Sequence, residues 1–483
     1  MKASKPTRWL GAGIAVSALS LAAYAQLGGA TDDRPLLNIV ASITQPIGSV
    51  INETIGGLIQ PPTVPVTPAS PALQNASSDV ADYDFSAVRR VVQNENTDTS
   101  GNIIIDNPIP DMVLIIGDAS GNLAIFRNGT FDPNGRTSIA SASKWLIGTM
   151  GQRMAQANQI TMTDRASRWI DFWTTDGNDP RSRVTFEQAL SMQSGFNAQP
   201  LEGGCVQVPL VFTLKSCTRL IHDLYPTLRA VPSISGGSLL PGLTILNGVE
   251  HQASTDPATT FSYGPHQLQI AAAMMEGTSQ FENFNSLFRR HVTEPLGMTD
   301  TTYDHVGTLL NNGQVVLGPN VNPIDLGAHV NNPWAAGGAV STAYDYAKLL
   351  RGFFNPSFIA DLESFTRPRT LNLDRGFVPG STRQPSGTGF WHYALGSFVE
   401  CAEPEAAKGQ QTCASKINSS PGAYGWLGWI DRENGYYALI ARGPNFQNDG
   451  DGLPYFGDQS SIVLERKLQP LIAAAIRAGR AGQ

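Results

Sequence analysis

Strand-like runs stand at the two ends of a long region, with helical patterns between, and this limits what the chain can fold into. Met112–Gly117 and Leu123–Arg127 read as a strand pair about a turn at Asp118–Asn122. Far along the chain, Tyr393–Val399, Tyr424–Ile430 and Tyr437–Ala441 alternate again, with a hairpin turn at Arg432-Glu-Asn-Gly435. Outside these runs, Phe85–Val92 reads as a helix, and so does the stretch 460–478 with apolar Ile462, Leu464, Leu468, Leu471, Ile472 and Ile476. Residues 160–385 are helical and loop-rich. Pairing the two ends is the economical way to bury all of this. The expected fold class is α+β: an antiparallel sheet formed by the N- and C-terminal segments, flanked by helices, with an inserted helical lobe. About 400 residues is large for one core but suits a single domain of two lobes.

Within that frame, Ser141 and Lys144 carry the strongest chemical signal. They lie in Arg136-Thr-Ser-Ile-Ala-Ser141-Ala-Ser-Lys144-Trp-Leu-Ile-Gly, where small polar residues give way to a helical pattern running to about Ala157. A serine hydroxyl needs a neighbouring base to act as a nucleophile. Residues three apart on a helix share a face, so the Ser141 hydroxyl is expected beside the Lys144 amine. A helix N-terminus disfavours the ammonium form, which suits a lysine that must accept a proton. No other serine in the chain has a lysine three residues later. The alternative reading of the pair is a capping serine followed by a solvated lysine.

The termini and the cysteines bear on location. A basic start (Met-Lys-Ala-Ser-Lys-Pro-Thr-Arg), an apolar run from Trp9 to Ala23 and the Ala23-Tyr-Ala25 site read as a secretory signal over residues 1–25. Cleavage would remove Lys2, Lys5 and Arg8, taking the formal net charge from −7 to −10. A chain so acidic offers no footprint for nucleic acid. Residues 26–81 form a separate segment that ends in a Pro-rich linker, Pro61 to Pro71. Its apolar stripe, within residues 36–59, could touch a membrane surface, but a weakly helical tether is the favoured reading. The catalytic region is expected over 82–483. Four cysteines fall in two couples, Cys205/Cys217 and Cys401/Cys413, each with eleven residues between. In an exported protein these read as disulfides Cys205–Cys217 and Cys401–Cys413, crossed pairings being the alternative. The location expected is periplasmic or secreted.

Other chemistry is thinly supported. The seven histidines make no metal-binding pattern, so neither a metal nor a cofactor is expected. Gly-x-Ser-x-Gly is absent, and a Ser-His-Asp triad using His392 and Asp345 has no local signature.

Several segments, in order, resemble the serine β-lactamase and penicillin-binding-protein superfamily, in its class C, D,D-peptidase and family VIII esterase branch, over about residues 85–480. Arg136–Gly148 resembles the nucleophile helix. Val184–Phe196 resembles a second family segment, with Gln193 at the usual histidine. Pro257–Tyr303 resembles the stretch bearing the catalytic tyrosine, and Gly337-Gly-Ala-Val-Ser-Thr-Ala a further motif. The resemblance implies a β-lactamase/transpeptidase-like fold and assigns the catalytic tyrosine to Tyr263. It places the strand motif Lys/His-x-Gly on Ser420-Pro-Gly422, and so implies substrate contacts at Ser420 and Gly422. The N–H groups of Ser141 and Ala423 would form an oxyanion hole. Pro265 stands where the family carries a polar residue, which leaves His266 or Gln267 to supply that contact. Ser420 is neutral where the family often has a cation, and Arg442 could compensate, although a surface arginine is the favoured reading.

These assignments describe a serine hydrolase working through an acyl-enzyme. A carboxylesterase on small to medium acyl esters is the reading favoured over an amidase of the 6-aminohexanoate-dimer-hydrolase type, over D,D-peptidase or β-lactamase activity, and over a non-catalytic envelope scaffold. Its partner would be a small-molecule ester or amide.

Overall fold

The computed structural model describes residues 83–94, 111–196, 205–207, 212–230, 254–304, 309–311, 314–316, 331–370, 391–401, 415–442 and 457–482. The expected signal and linker segments, the 36–59 stripe and Cys413 lie outside them. The chain divides into two compact units. One comprises 1–76 and 308–317; its described part is a hairpin of Leu309–Asn311 with Gln314–Val316, in register Leu309↔Val316. The other comprises 77–307 and 318–483 and carries everything that follows.

Among the described residues its main sheet has seven strands. In chain order the strands of the molecule are β1 (Met112–Asp118), β2 (Gly121–Asn128), β3 (Thr137–Ser138), the hairpin strands β4 and β5 just given, β6 (Val340–Ser341), β7 (His392–Tyr393), β8 (Phe398–Val399), β9 (Ile417–Pro421), β10 (Leu427–Asp431) and β11 (Tyr436–Arg442). The sheet order is β2-β1-β11-β10-β9-β8-β7, and every pairing is antiparallel. The first strand pair therefore joins the last, with Met112 opposite Arg442 and Gly117 opposite Tyr437. This is the α+β sheet closed by the two ends of the region.

Both faces of the sheet are covered, which is why β1 and β11 are buried almost throughout instead of alternating with polar residues. Neighbouring residues on a strand point to opposite faces. Tyr436 turns to the Gly457–Ala481 helix, where its hydroxyl donates to the Gln469 carbonyl, while Tyr437 turns the other way and donates to Asn122 Oδ1 at 2.7 Å. The Gly457–Ala481 helix packs on β9 to β11 and against the Ser86–Asn94 helix. The Ala343–Phe353 helix covers β1, β10 and β11. Among the described residues no helix is long and apolar enough to cross a membrane.

The helical lobe centres on Pro265–Gly277, a helix buried over most of its length. It packs against Phe186–Leu190, Leu214–Ala230 and Ser143–Gln156. Phe186–Leu190 opens with a capping box between Thr185 and Gln188. Cys205 and Cys217 form a disulfide with Cα atoms 5.3 Å apart. Cys401 is disulfide-bonded as well, its expected partner lying outside the described residues.

Three expectations change. Tyr393–Val399 is two short strands and not one: Gly396 turns between them with φ at +78°, and an added Cβ there would lie 2.2 Å from the Lys144 carbonyl oxygen. Tyr424 to Trp426 lie in the turn before β10 rather than in the strand. Arg442 is no surface residue: it ends the buried strand β11 at 1% exposure.

Candidate active site

The chain approaches Ser141 through β3, which pairs with β6, and the Ile139 N–H donates to the Ala339 carbonyl at 3.1 Å. Ala140 then takes φ of +45°, a conformation costly for a residue with a Cβ. Ser141 lies in a single 3₁₀ turn, Ala140–Ala142, and the α-helix begins only at Ser143. The expected position on the helix is thus corrected by one turn, but the i, i+3 relation survives because a 3₁₀ turn repeats every three residues. Lys144 Nζ donates to Ser141 Oγ at 2.8 Å and to the Ala336 carbonyl at 2.9 Å. It also sits 4.5 Å from the centre of the Tyr263 ring. Lys144 is only 5% exposed, so the reading of a solvated lysine is excluded.

The segment before Ala336 is anchored from the lobe. Buried Gln269 donates to Asn332 Oδ1 at 2.8 Å and to the Pro333 carbonyl at 2.9 Å, and its Oε1 accepts from the Ala335 N–H. Gln269 thereby holds the 332–335 segment that leads into the carbonyl bonded by the lysine amine.

Tyr263 reaches the lysine from a segment stitched to the 190–196 turn. The Ser262 N–H donates to the Met192 carbonyl at 3.0 Å, and Ala258 N–H to the Gln193 carbonyl at 2.8 Å. Gln267 accepts from the Ser194 N–H at 2.7 Å and from Ser194 Oγ at 2.9 Å, and donates to the Ser262 carbonyl. Its amide is committed to holding this loop, which removes it as a substrate contact. The Tyr263 ring stacks on Phe398 at 5.7 Å and meets Tyr393 edge-on at 6.1 Å. Gln193 donates to Ser191 Oγ and to the Arg369 carbonyl, a structural role at the family's histidine position.

The sheet supplies the opposite wall through β9. Ser420 is buried, and its Oγ lies 3.5 Å from the Ser141 carbonyl oxygen. At Gly422 an added Cβ would fall 2.3 Å from the Ile139 carbonyl oxygen, so only glycine lets the strand end come this close to the serine turn. Ala423 follows in the turn, half-buried, and among the described residues its N–H is paired with no acceptor. Pro265 begins the Pro265–Gly277 helix at a position where a missing N–H costs nothing. His266 keeps part of its surface accessible, yet its surroundings desolvate it enough to push the imidazole pKa down to about 4.

No triad forms from His392 and Asp345. Asp345 takes bonds from the Asp300 N–H, the Thr301 hydroxyl and Lys348, and His392 Nδ1 pairs with the Thr370 carbonyl. Sequence reasoning overlooked Ala336, since a backbone acceptor leaves no mark on residue type. It also passed over Tyr303 and Tyr346, which lie in or beside segments singled out for other residues.

A family model described as Beta-lactamase matches residues 115–445. Among solved structures, the chain is similar to a candidate beta-lactamase from Bacteroides dorei (19% identity, TM-score 0.53, covering 81% of this chain and 99% of that one). It is similar also to EstCE1, described as a hydrolase with promiscuous acyltransferase activity (14%, 0.54, 81% and 99%). A third is a variant of simvastatin synthase from Aspergillus terreus (15%, 0.51, 81% and 94%). At these identities the likeness is one of fold. No curated protein sequence matches the chain.

Proposed function

The chain belongs to the Beta-lactamase family, and from that premise we propose that it is an exported serine hydrolase that forms a covalent acyl-enzyme on esters of small to medium acyl chains. The observation that carries the reading is the 2.8 Å contact between the Ser141 hydroxyl and the buried Lys144 amine. Ser141 Oγ attacks the ester carbonyl carbon as Lys144 takes its proton, and the carbonyl electron pair moves onto oxygen. The Ser141 and Ala423 N–H groups hold that oxyanion; two such donors are each worth about 3 kcal/mol where water is excluded. Collapse breaks the ester C–O bond, and the departing alkoxide takes a proton relayed by Lys144 and Tyr263. Water then attacks the acyl-serine carbonyl as the same pair takes its proton; the bond from that carbon to Ser141 Oγ breaks, the proton passes to Oγ, and the acid leaves with the free serine restored.

Preference for an ester over a β-lactam rests on two neutral positions. Ser420 brings no cation to a substrate carboxylate. Pro265 offers no donor to a substrate amide, and Gln267 is committed elsewhere. His266, neutral above its low pKa, is the group we assign to the remaining polar contact. EstCE1, a structural relative, is described as a hydrolase. Export is supported by the signal-like start and by the Cys205–Cys217 disulfide.

Labelling with a fluorophosphonate probe tests the mechanism: a mass shift on Ser141 is expected in the wild type and none in Ser141→Ala. Ser141→Ala and Lys144→Ala should each lower kcat on p-nitrophenyl butyrate by about three orders of magnitude. Near-full activity in Lys144→Ala would remove it as the base. Turnover of nitrocefin at near-diffusional efficiency would overturn the ester preference.

A further inference from the structure

Hydroxyl groups from three separate elements converge on three consecutive carbonyls of the turn that carries Ser141. Tyr346, on the Ala343–Phe353 helix, donates to the Ala142 carbonyl at 3.0 Å. Tyr303 donates to the Ser143 carbonyl at 2.8 Å, with the Ala335 carbonyl 3.4 Å away. Ser420, on β9, makes the longer approach to the Ser141 carbonyl at 3.5 Å. From the other side, the Ala339 N–H donates to Ser143 Oγ at 3.1 Å.

Neither tyrosine has room to move. Both are fully buried. The Tyr346 ring meets Trp426 edge-on at 5.9 Å, and at Gly428 an added Cβ would lie 2.7 Å from that ring. Tyr303 lies between Phe284 and Phe288, with ring centres 5.4 and 5.0 Å away. Burial drives both phenols well above their usual pKa, so they stay protonated and able to donate to these carbonyls, while the Tyr346 hydroxyl also pairs with the Ser420 side chain.

A buried phenol needs some partner, and any nearby acceptor would do. That requirement does not explain why two of them select adjacent carbonyls, using lone pairs left over at the start of a helix. The strain at Ala140, one residue before Ser141, does explain it. A left-handed non-glycine residue persists only where its surroundings over-determine it. We propose that Tyr346 and Tyr303 form a hydroxyl clamp that holds the strained 140–143 turn, and through it aims the Ser141 Oγ and N–H; they are positioning residues for acyl transfer. The proposal rests on Ser141 being the nucleophile.

Tyr346→Phe and Tyr303→Phe each delete one donor and leave the ring. The experiment measures the rate of Ser141 labelling by the fluorophosphonate probe, kcat and KM on p-nitrophenyl butyrate, and the fraction folded by circular dichroism. Each variant is expected to label and turn over about tenfold more slowly per folded molecule with KM within about twofold of wild type, the pattern of a lost transition-state interaction. The double variant should lose less than the product, because both act on one turn. If Tyr346→Phe does not fold, Tyr303→Phe carries the same expectation. Labelling within twofold of wild type in folded variants, with only the melting temperature lowered, would reduce the tyrosines to structural supports and overturn the clamp. If the wild type itself is not labelled at Ser141, the nucleophile assignment falls and the clamp with it; if it is labelled and the variants match it, the clamp alone falls.

Discussion

Gly422→Ala is the sharpest test of how closely the sheet must approach the serine turn. The new Cβ would lie 2.3 Å from the Ile139 carbonyl oxygen and 3.3 Å from the Ala142 nitrogen, both backbone atoms that no rotamer change can move. Ordinary contact begins near 3.4 Å, so β9 and the turn must separate by about 1 Å. The Ala423 N–H follows Gly422 directly, and the Ser141 N–H lies two residues beyond Ile139, so the displacement falls between the two donors assigned to the oxyanion. A misplacement of about 1 Å at a reacting centre can cost roughly a hundredfold in rate, equivalent to about 2.7 kcal/mol. Overpacking of this kind costs about 1–3 kcal/mol in stability, which in a domain of this size lowers the melting temperature by only several degrees. The expected result is therefore a folded protein, slightly less stable, with kcat/KM on p-nitrophenyl butyrate down about a hundredfold. The assay pairs steady-state kinetics at 25 °C with thermal melting. A variant whose kcat/KM stays within threefold of wild type would show that the approach of β9 does not set the chemistry.

Two further outcomes concern stability. Glu465, fully buried on the Gly457–Ala481 helix, lies beside Glu400 just past β8, to which Gln469 Nε2 donates at 2.9 Å; Ser419, Arg466 and Tyr436 interact with the pair. Burial raises both carboxyls above 4.5, so the folded state holds their protons longer than the unfolded chain, and stability falls as pH rises from about 4.5 toward the folded values. The slope reaches at most about 1.4 kcal/mol per pH unit for each group. Glu465→Gln should flatten this dependence in melts between pH 5 and 8, and an unchanged slope would refute the assignment. Cys205→Ser with Cys217→Ser opens a short loop and should lower stability by up to about 3 kcal/mol in urea unfolding, whereas no change would mean the loop is held by its packing alone.

The parts of this fold that sequence could reveal are those set by local periodicity. Ser141 and Lys144 were legible because a three-residue spacing brings them together whether the turn is 3₁₀ or α. The sheet was legible because its end strands are apolar runs bounded by turn residues. What escaped was decided by distant neighbours. The Tyr393–Val399 run splits because a glycine must yield to the Lys144 carbonyl. Arg442 looked like surface because nothing local says what covers the end of a strand. Gln267 looked like a substrate contact until Ser194 and Ser262 were seen to occupy its amide. Glu400 and Glu465 are far apart in sequence and meet only when the last helix docks on the sheet.

That docking has a bearing on biogenesis. The strand β1 is flanked by one neighbour that follows it at once and another, β11, made near the end of translation. Half the hydrogen-bonding edge of β1 is thus unsatisfied in every nascent chain shorter than about residue 442. Contacts of such long sequence separation form slowly because the loop must close first. An incomplete polypeptide of this kind cannot finish its sheet until its tail arrives. Under the export proposed above, that delay would leave the unfolded form available for transport.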